Sequence, residues 1–176
     1  SSNITSLPYL LMTKKIIERI GGIVKIQDRE IFIEPFKEKV ISEQFVESDW
    51  SSASYFFSLA ALSNSVNLTL SRFSEDSLQG DSKLVDIYKI FGIETIFEDD
   101  QIILRKNKVS LPKNIHLDLR ENPDIAQTII ITCLGLGVNC SLKGLHTLKI
   151  KETDRLVALK NEIEKFEVDK VEITEN

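Results

Sequence analysis

Residues 21–35 read GGIVKIQDREIFIEP. Two short runs of alternating apolar and polar side chains, IVKIQ and EIFIEP, flank a polar turn at Asp28 and Arg29. Alternation with a period of two is typical of strands that bury one face, and a helical pattern precedes these runs and ends near Gly22. The stretch therefore predicts a helix followed by a hairpin of two strands.

The same order of elements returns about seventy residues later. There the helical run LVDIYKIFG leads into IETIF, an acidic turn at Asp99 and Asp100, and QIILR, with Gly92 in the place of Gly22. A third unit starts with the helical run LVALKNEIEKF and continues with VDKVEIT, which we expect to form a strand without its partner. Such self-similarity indicates an internal repeat whose last copy is incomplete.

Further elements lie between the repeated units. WSSASYFFSLAALSN is helical in pattern, VNLTL and IHLDL are strand-like, and a long apolar helix is expected from about Asp124 to Cys140. Helices and strands alternate along the chain, which predicts an α+β (alternating α/β) fold with helices packed on one face of mixed sheets. The charged stretch KEKVISEQFVES, residues 37–48, predicts a seam between domains.

The composition limits the classes of function. The chain has 176 residues, 42% of them hydrophobic, and a formal net charge of −5, which gives no overall electrostatic attraction to nucleic acid or anionic membranes, although local basic clusters can still occur. No apolar run reaches the length of a membrane span, and the first residues lack the pattern of a signal peptide. We therefore expect a cytoplasmic protein that binds neither nucleic acid nor membrane.

The cysteines and histidines show no metal-ligand spacing. Cys133 and Cys140 fall in the same predicted helix about two turns apart, roughly 10 Å, which is too far for a disulfide. The two histidines, His116 and His146, are distant from them in sequence. We expect reduced, packed thiols and no bound metal.

The densest polar cluster is GLHTLKIKETDRL, residues 144–156. Lys149, Lys151 and Arg155 place three cations within seven residues, where an extended segment is expected to turn into a helix. Such a cluster suits an anion, and its field favours the ionised form of Glu152. The alternative is a solvated helix start that Thr153 or Asp154 caps.

Three other motifs contain a carboxylate near a predicted helix start. In ENPDIAQT, Asp124 is either a helix starter or, if that end faces a cleft, a base for a substrate hydroxyl. In VESDWSSASYFF, Asp49 is a natural N-cap. In SEDSLQGDSKLVD, Gly80 for a turn and Asp81 for a cap account for the pattern, and no chemistry is assigned there.

Taken together and in this order, SDWSSASYF, SLQGD, NPDIAQT and KIKETDRL resemble the 5-enolpyruvylshikimate-3-phosphate synthase family of 3-phosphoshikimate 1-carboxyvinyltransferases. SLPYLLMT is similar to the family's Ser-x-Pro-Tyr element, so the resemblance runs from about Ser6 to the end of the chain, well under half of the family's usual length. It implies two lobes of three repeated sheet-and-helix units each, an inside-out barrel that is incomplete here.

The resemblance also implies a reaction and its partners. The family transfers the carboxyvinyl group of phosphoenolpyruvate to the 5-hydroxyl of shikimate 3-phosphate, in the shikimate pathway of aromatic amino acid biosynthesis. The reaction releases phosphate through a tetrahedral intermediate and uses neither metal nor cofactor. The substrates would be the ligands of this chain.

Residue roles follow from the matched motifs. Asp124 would accept the proton of the substrate hydroxyl, Glu152 would protonate the phosphoenolpyruvate methylene, and Arg155 would bind the phosphoenolpyruvate anion. Binding of shikimate 3-phosphate would involve Asp124 and four further residues: Ser6, Tyr9, Thr147 and Lys151. Asp49 would lie near the crossover between lobes. Two positions depart from the family pattern: Leu7 replaces a basic residue, and Thr147 replaces an Asn.

Much of the family's active site has no counterpart in these residues. Its N-terminal lysine and arginine elements, its Ser-Ser-Gln element, and its C-terminal arginine and lysine are absent from the sequence. We therefore expect a fragment, engineered or natural, with residues 1–46 ending one lobe and 47–176 starting the second. The isolated chain is expected to be inactive.

Two alternative functions remain open at this point. One is an enzyme like UDP-N-acetylglucosamine enolpyruvyl transferase, which shares the architecture but does not usually carry KETDR. The other is a non-catalytic scaffold module, in which the polar clusters are caps and solvated faces. The resemblance implies a monomeric enzyme, whereas an incomplete repeat exposes apolar surface through which the fragment could self-associate.

Overall fold

The computed structural model describes residues 7–28, 30–36, 43, 45–166 and 168–174. Its helices are α1 (Leu7–Arg19), α2 (Trp50–Leu62), α3 (Leu84–Lys89), α4 (Ala126–Leu136) and α5 (Arg155–Ile163). Its strands are β1 (Ile23–Gln27), β2 (Glu30–Glu34), β3 (Asn67–Ser71), β4 (Ile93–Glu98), β5 (Gln101–Lys106), β6 (Asn114–Asp118) and β7 (Asn139–Lys143). Helices and strands alternate, which confirms the α+β class.

The repeated unit of a helix and a hairpin is present twice. Strands β1 and β2 pair antiparallel after α1, and β4 and β5 pair antiparallel after α3. Asp28 and Asp99 take the same left-handed turn position, with φ of 51° and 53°. Counting back equally from both turns pairs Gly92 (φ 82°) with Gly21 (φ 89°). The expected pairing with Gly22 is therefore wrong by one residue, because the turn rather than the strand start sets the register.

Three separate sheets carry the strands. Strands β1 and β2 form a hairpin, β3, β5 and β4 form an antiparallel sheet in that order, and β6 and β7 pair in parallel across α4. The last connection is a strand, a crossover helix and a parallel strand. The prediction of mixed sheets is therefore wrong for the described strands, because each sheet has only one kind of pairing: two are antiparallel and one is parallel.

The core lies between α2, α4 and the antiparallel sheet. Trp50 starts α2 with no exposed surface, and its ring meets Phe73 edge to face at 4.9 Å between centroids. Fully buried side chains surround it: Phe57, Leu84, Tyr88, Ile102, Leu104 and Ile129. Burying each large apolar side chain stabilises the fold by about 1.5–3 kcal/mol.

Three buried hydroxyls join the helices within this core. The hydroxyl of Tyr88 lies 2.9 Å from that of Thr132, and Thr132 also donates to Ser58 at 2.8 Å. These residues belong to α3, α4 and α2 respectively. Buried hydroxyls need such partners, so the network fixes how the three helices pack.

Glu47, in the segment before α2, forms hydrogen bonds with the loop after β3. Its Oε1 accepts hydrogen bonds from the indole of Trp50 at 2.9 Å and from the backbone of Ser74 at 3.1 Å. Its Oε2 accepts from Ser77 at 2.7 Å and from Gln79 at 3.0 Å. The half-buried carboxylate thereby organises the approach to the first turn of α2.

The expected helix from Asp124 to Cys140 is shorter than predicted. A 3₁₀ turn precedes α4, which ends at Leu136 because Gly137 is left-handed (φ 66°), and Cys140 lies in β7. The thiols of Cys133 and Cys140 share a hydrogen bond that raises the pKa of Cys133 above its usual range. The predicted separation by two helical turns is therefore wrong, although both cysteines are free as expected.

The third repeated unit differs from its prediction. Helix α5 forms, and a 3₁₀ turn extends it to Phe166, but the described part of VDKVEIT, residues 168–174, contains no strand. A strand without a neighbour leaves its backbone hydrogen-bonding groups unpaired, so the apolar alternation alone does not produce one. Within the described ranges, none of the helices has both the length and the apolar character needed to cross a bilayer.

Candidate functional site

The candidate site lies beyond the carboxyl ends of the parallel pair. Because β6 and β7 run in the same direction, the segments that follow them leave the sheet at one edge. Gly144 (φ 81°) lets the segment after β7 pack closely against the segment after β6. A Cβ at this position would lie 2.4 Å from the backbone nitrogen of Arg120, so only glycine fits without a shift of the backbone. This contact brings the 3₁₀ turn Pro123–Ile125 close to the start of α5.

Asp124 and two cations meet at this point. The Nζ of Lys151 lies 3.1 Å from the carboxylate of Asp124, and Nη1 of Arg155 lies 3.0 Å from its Oδ1. The Asp124 side chain is 17% exposed and that of Arg155 26%. These groups are therefore held in place by contacts yet remain accessible to a small ligand.

Glu152 binds the other side of Arg155. Its two oxygens accept hydrogen bonds from Nε at 2.7 Å and Nη2 at 2.9 Å, a bidentate arrangement. The hydrogen bonds from Arg155 lower the pKa of Glu152 to about 2, and Lys151 adds to the effect. Glu152 is therefore a carboxylate at neutral pH in the ligand-free chain.

The backbone around this cluster is set by a helix cap. Asp154 accepts hydrogen bonds from the backbone N–H groups of Leu156 at 3.0 Å and Val157 at 3.2 Å, and so starts α5. Capping is thus done by Asp154, one of the two expected residues, and Arg155 is left to bind carboxylates. The segment before Lys151 is a 3₁₀ turn, His146–Ile150, rather than the expected extended segment.

The four charged residues form one continuous ion-pair cluster. Two carboxylates and two cations offset each other, and the carboxylates occupy positions that the oxygens of an anionic ligand could take. An incoming anion can exchange with them at Arg155 with little change in local charge. The arrangement thus places two cations, which can bind an anion, beside two carboxylates, which can exchange a proton.

Tyr9 is close enough to Asp124 and Asp49 for their charges to act on its hydroxyl. Burial raises the pKa of Tyr9 to about 12, and the charges of Asp81, Asp124 and Asp49 add to it, while a hydrogen bond with Ser51 opposes it. Asp49 caps α2 as predicted, and its Oδ1 accepts the backbone N–H of Ser51 at 2.9 Å. The structure thus brings Tyr9 near the charged residues.

Asp81 is the feature that sequence reasoning missed. It does not cap a helix, since the 3₁₀ turn Gly80–Lys83 has Gln79 at its N-cap. Instead Asp81 is 2% exposed, its Oδ2 accepts a hydrogen bond from the hydroxyl of Ser51, and its Oδ1 has no partner among the described residues. The local sequence, a glycine and an aspartate before a helical run, is the same whether the aspartate caps the helix or is buried. The sequence therefore does not distinguish the two cases.

Three other residues that the sequence analysis singled out, Ser6, Thr147 and Lys149, have no described contact with the charged cluster. Ser6 lies outside the described residues. Thr147 lies in the 3₁₀ turn before Lys151, and its buried hydroxyl oxygen has no hydrogen-bond partner among the described residues. Lys149 is exposed in the same turn.

Two clefts of the structure are lined by residues outside the charged cluster. One, of 580 Å³, has a wall formed by the start of α1, Trp50, Gln79 and α3. A second, of 330 Å³, lies by Pro8, Gly80, Arg120 and Asn122. In the parts of the chain described, no group of three or more metal-binding side chains gathers.

Comparisons with known proteins identify the family of the chain. The family profile of EPSP synthase (3-phosphoshikimate 1-carboxyvinyltransferase) matches residues 1–176. A 3-phosphoshikimate 1-carboxyvinyltransferase of Bacteroides fragilis (strain YCH46) is 36% identical over 167 residues, which cover 94% of this chain and 40% of the relative. An enzyme of the same name from Aliivibrio salmonicida (strain LFI1238) is 31% identical over 165 residues, which cover 93% of this chain and 38% of the relative.

A third relative, from Vibrio cholerae serotype O1 (strain ATCC 39541), carries the same name and is 32% identical, covering 92% of this chain and 38% of the relative. The chain thus spans about two fifths of the length of the curated relatives it matches. The family profile matches all 176 residues, and SDWSSASYF, SLQGD, NPDIAQT and KIKETDRL occur in the order that the family has. The chain belongs to the EPSP synthase family.

Proposed function

We propose that this chain supplies one side of the active site of a 3-phosphoshikimate 1-carboxyvinyltransferase. The observation that carries the proposal is the ion-pair cluster of Asp124, Lys151, Glu152 and Arg155, assembled from two segments of chain. Transfer of a carboxyvinyl group between two anionic substrates needs cations for binding and carboxylates for proton transfer. The cluster contains both.

Arg155 is the proposed ligand of phosphoenolpyruvate. Its guanidinium now binds two carboxylates, Glu152 on one edge and Asp124 at Nη1. A carboxylate or phosphate of the substrate presents the same pairs of oxygens to the same donors. Lys151, at 34% side-chain exposure, is the proposed cation for shikimate 3-phosphate.

Asp124 is the proposed proton acceptor for the substrate hydroxyl. Removing that proton lets the hydroxyl oxygen attack C2 of phosphoenolpyruvate and form a new C–O bond, while a proton is added at C3. Glu152 is the proposed source of that proton, and it takes a proton back from C3 when phosphate leaves. Lys151 and Arg155 stabilise the ionised form of Asp124 before it accepts the proton, and Asp124 gives that proton to the departing phosphate in the second step.

Glu152 must gain a proton before it can donate one. In the ligand-free chain Arg155 holds its pKa at about 2. If phosphoenolpyruvate takes the guanidinium, Glu152 loses its strongest partner and its pKa rises toward the ordinary range. Substrate binding would therefore convert Glu152 from an ion-pair partner into a general acid.

We also propose that the seam at residues 46 and 47 separates parts of two lobes. The hairpin of β1 and β2 forms its own sheet, and the strands after residue 47 pair only among themselves in the described part of the chain. The other groups that such a reaction needs would come from residues outside these 176. Because catalytic groups act together, the chain alone should give no measurable phosphate release.

A chimera tests the proposed function. Residues 7–174 would replace the matching segment of the Bacteroides fragilis relative, and phosphate release would be measured with both substrates. We expect turnover in the chimera and a loss of at least about 100-fold with Glu152→Gln. A folded chimera that binds both substrates but releases no phosphate would contradict the proposal.

The same chimera distinguishes a scaffold from an enzyme. Glu162→Gln serves as the matched control, since Glu162 lies on α5 and pairs with Lys165, away from the cluster. It should leave turnover within twofold of the parent chimera. Equal losses in Glu152→Gln and Glu162→Gln would favour a scaffold in which α5 has only a structural role.

A further inference from the structure

Strand β7 has one edge that no other described strand occupies. Asn139 donates its backbone N–H to Lys113 at 3.0 Å, on the side of β7 that faces β6. The backbone groups of successive strand residues point to opposite edges, so those of Cys140 and Leu142 point away from β6. Across the parts of the chain that the structure describes, no backbone hydrogen bond on this second edge involves either residue.

Strand β3 is the counterpart of β7 one repeated unit earlier. The runs VNLTL at residues 66–70 and VNCSL at residues 138–142 are alike, and each lies between two helices. Both strands have the same burial pattern, with half-buried side chains at the second and fourth positions. The surroundings of β3 therefore indicate what fits beside β7.

The edge of β3 is filled by β5, the second strand of the hairpin that follows it. The sheet order is β3, β5, β4, so β5 lies between its hairpin partner and β3. Leu70 lies opposite Ile102, and Leu68 lies opposite Leu104. Neither of these two β5 side chains has any exposed surface, so the central strand closes this part of the core.

The third unit has no counterpart of β5 among the residues whose structure is described. Phe91 and Phe166 lie at the ends of the helical runs LVDIYKIFG and LVALKNEIEKF, yet Phe91 is 1% exposed and Phe166 is 64% exposed. Residues 168–174 correspond to β4 but form no strand. The missing central strand accounts for this, because β4 pairs with β5 and not with β3.

We propose that the free edge of β7 is a docking site for one antiparallel peptide strand with the side-chain pattern of β5. The docked segment would carry two apolar side chains two positions apart, like Ile102 and Leu104. These would lie opposite Leu142 and Cys140, which already pack against the core. The other edge of the docked segment would pair with residues 168–174, which would then form a strand. The inference goes beyond the proposed function, since no group of the charged cluster takes part in it.

An extended chain tests the proposal. A copy of residues 99–106, which contain the hairpin turn and β5, would be appended to the full 176-residue chain, so that the strand is present at high effective concentration. Amide hydrogen exchange at Cys140 and Leu142, followed by NMR, should slow at least about 10-fold relative to the parent chain. Cross-strand contacts should join Leu142 to the copy of Ile102 and Cys140 to the copy of Leu104.

Two changes in the appended copy distinguish specific docking from the mere addition of residues. Ile102→Ser combined with Leu104→Ser removes both core-facing side chains and should return exchange to within about twofold of the parent. Ile103→Ser changes a side chain on the opposite face and should still leave exchange at least about fivefold slower. The amides of β3, whose edge is already filled, should be unchanged in every variant and so report that the fold is intact.

Three results would overturn the proposal. The first is unchanged exchange at Cys140 and Leu142 in the extended chain, and the second is equal protection by the doubly substituted copy. The third is protection in the parent chain that grows with protein concentration, because the occupant would then be a second copy. A second copy is not the proposed occupant, since its own β5 is already buried between β3 and β4.

Discussion

The carboxylate of Asp124 lies 3.0 Å from the guanidinium of Arg155, although 31 residues separate them in the chain. One residue follows β6 and the other starts α5, so the contact depends on the parallel pairing of β6 with β7. The same guanidinium binds Glu152. The state of Arg155 therefore couples the proposed base to the proposed acid.

Replacing Arg155 by Lys should change the titration of Glu152. The bidentate hydrogen bonds from Arg155 keep the pKa of Glu152 at about 2, and an ammonium cannot reproduce that geometry. Carboxyl-carbon NMR of Arg155→Lys should show a pKa that rises toward the ordinary value of 4.5.

Asp124→Asn is the matched control for this titration. It removes the other carboxylate of Arg155 but leaves both hydrogen bonds to Glu152 in place. The Glu152 pKa should therefore stay low. A larger rise in Asp124→Asn than in Arg155→Lys would mean that Arg155 is not the main cause.

Asp81→Asn should alter how stability depends on pH. Burial raises the pKa of Asp81 to about 6 from 3.8, so the folded chain holds this proton more tightly than the unfolded chain. The stabilisation is complete below about pH 4 and is lost as the pH rises through about 6. Urea unfolding should show the parent losing roughly 2–3 kcal/mol relative to Asp81→Asn over that interval.

The opposite sign would contradict this account of Asp81. If the parent gained stability relative to Asp81→Asn between about pH 4 and 6, the carboxyl would be stabilised as an anion in the fold. Asp86→Asn is a suitable control, since its ion pairs with Lys83 and Lys89 lower the pKa of Asp86. Its contribution should therefore be present above about pH 4 and be lost as the pH falls below that value, the reverse of the direction expected for Asp81.

Glu47→Gln should destabilise the fold. The carboxylate accepts four hydrogen bonds, and an amide turns one acceptor into a donor that faces the Ser77 or Trp50 donors. A loss of about 2 kcal/mol in unfolding free energy is expected. Glu98→Gln, at an exposed strand end, should stay within about 0.5 kcal/mol of the parent, and an equal loss there would refute a specific role for Glu47.

Thr132→Val should loosen the joint between three helices. Valine has nearly the same shape but leaves the hydroxyls of Tyr88 and Ser58 without their shared partner. Thermal or urea unfolding should report a loss of about 1–3 kcal/mol. Because the groups share one network, adding Tyr88→Phe should cost less than the sum of the single losses, and strict additivity would speak against the network.

Local patterns in the sequence predict the repeated units well. The turn residues Asp28 and Asp99 and the strand alternation on either side of them predict both hairpins, and Asp49 caps α2 as expected. These features depend on neighbours in the chain. The shorter helix α4 depends on Gly137, whose left-handed backbone ends it before the apolar run does.

Features that depend on distant contacts are the ones the sequence does not reveal. Three cations in one motif predict an anion site, but the contact of Lys151 and Arg155 with Asp124 comes from the sheet pairing and from Gly144. Likewise, the hydrogen bonds between Ser51 and Asp81 and between Glu47 and Ser77 each join residues 30 positions apart. Neither the composition of the chain nor the spacing of its motifs predicts such contacts.

We propose that the carboxylates of the cluster hold the place of substrate anions on Arg155. The most direct measurement is a titration of the chain with phosphoenolpyruvate, followed through the NMR signal of the Arg155 Nε–H and the Glu152 carboxyl carbon. We predict that both signals move along one saturable curve and that the Glu152 pKa rises from about 2 as phosphoenolpyruvate takes the guanidinium. Signals that stay fixed at up to ~10 mM phosphoenolpyruvate, a concentration that would reveal even millimolar binding, would contradict the claim.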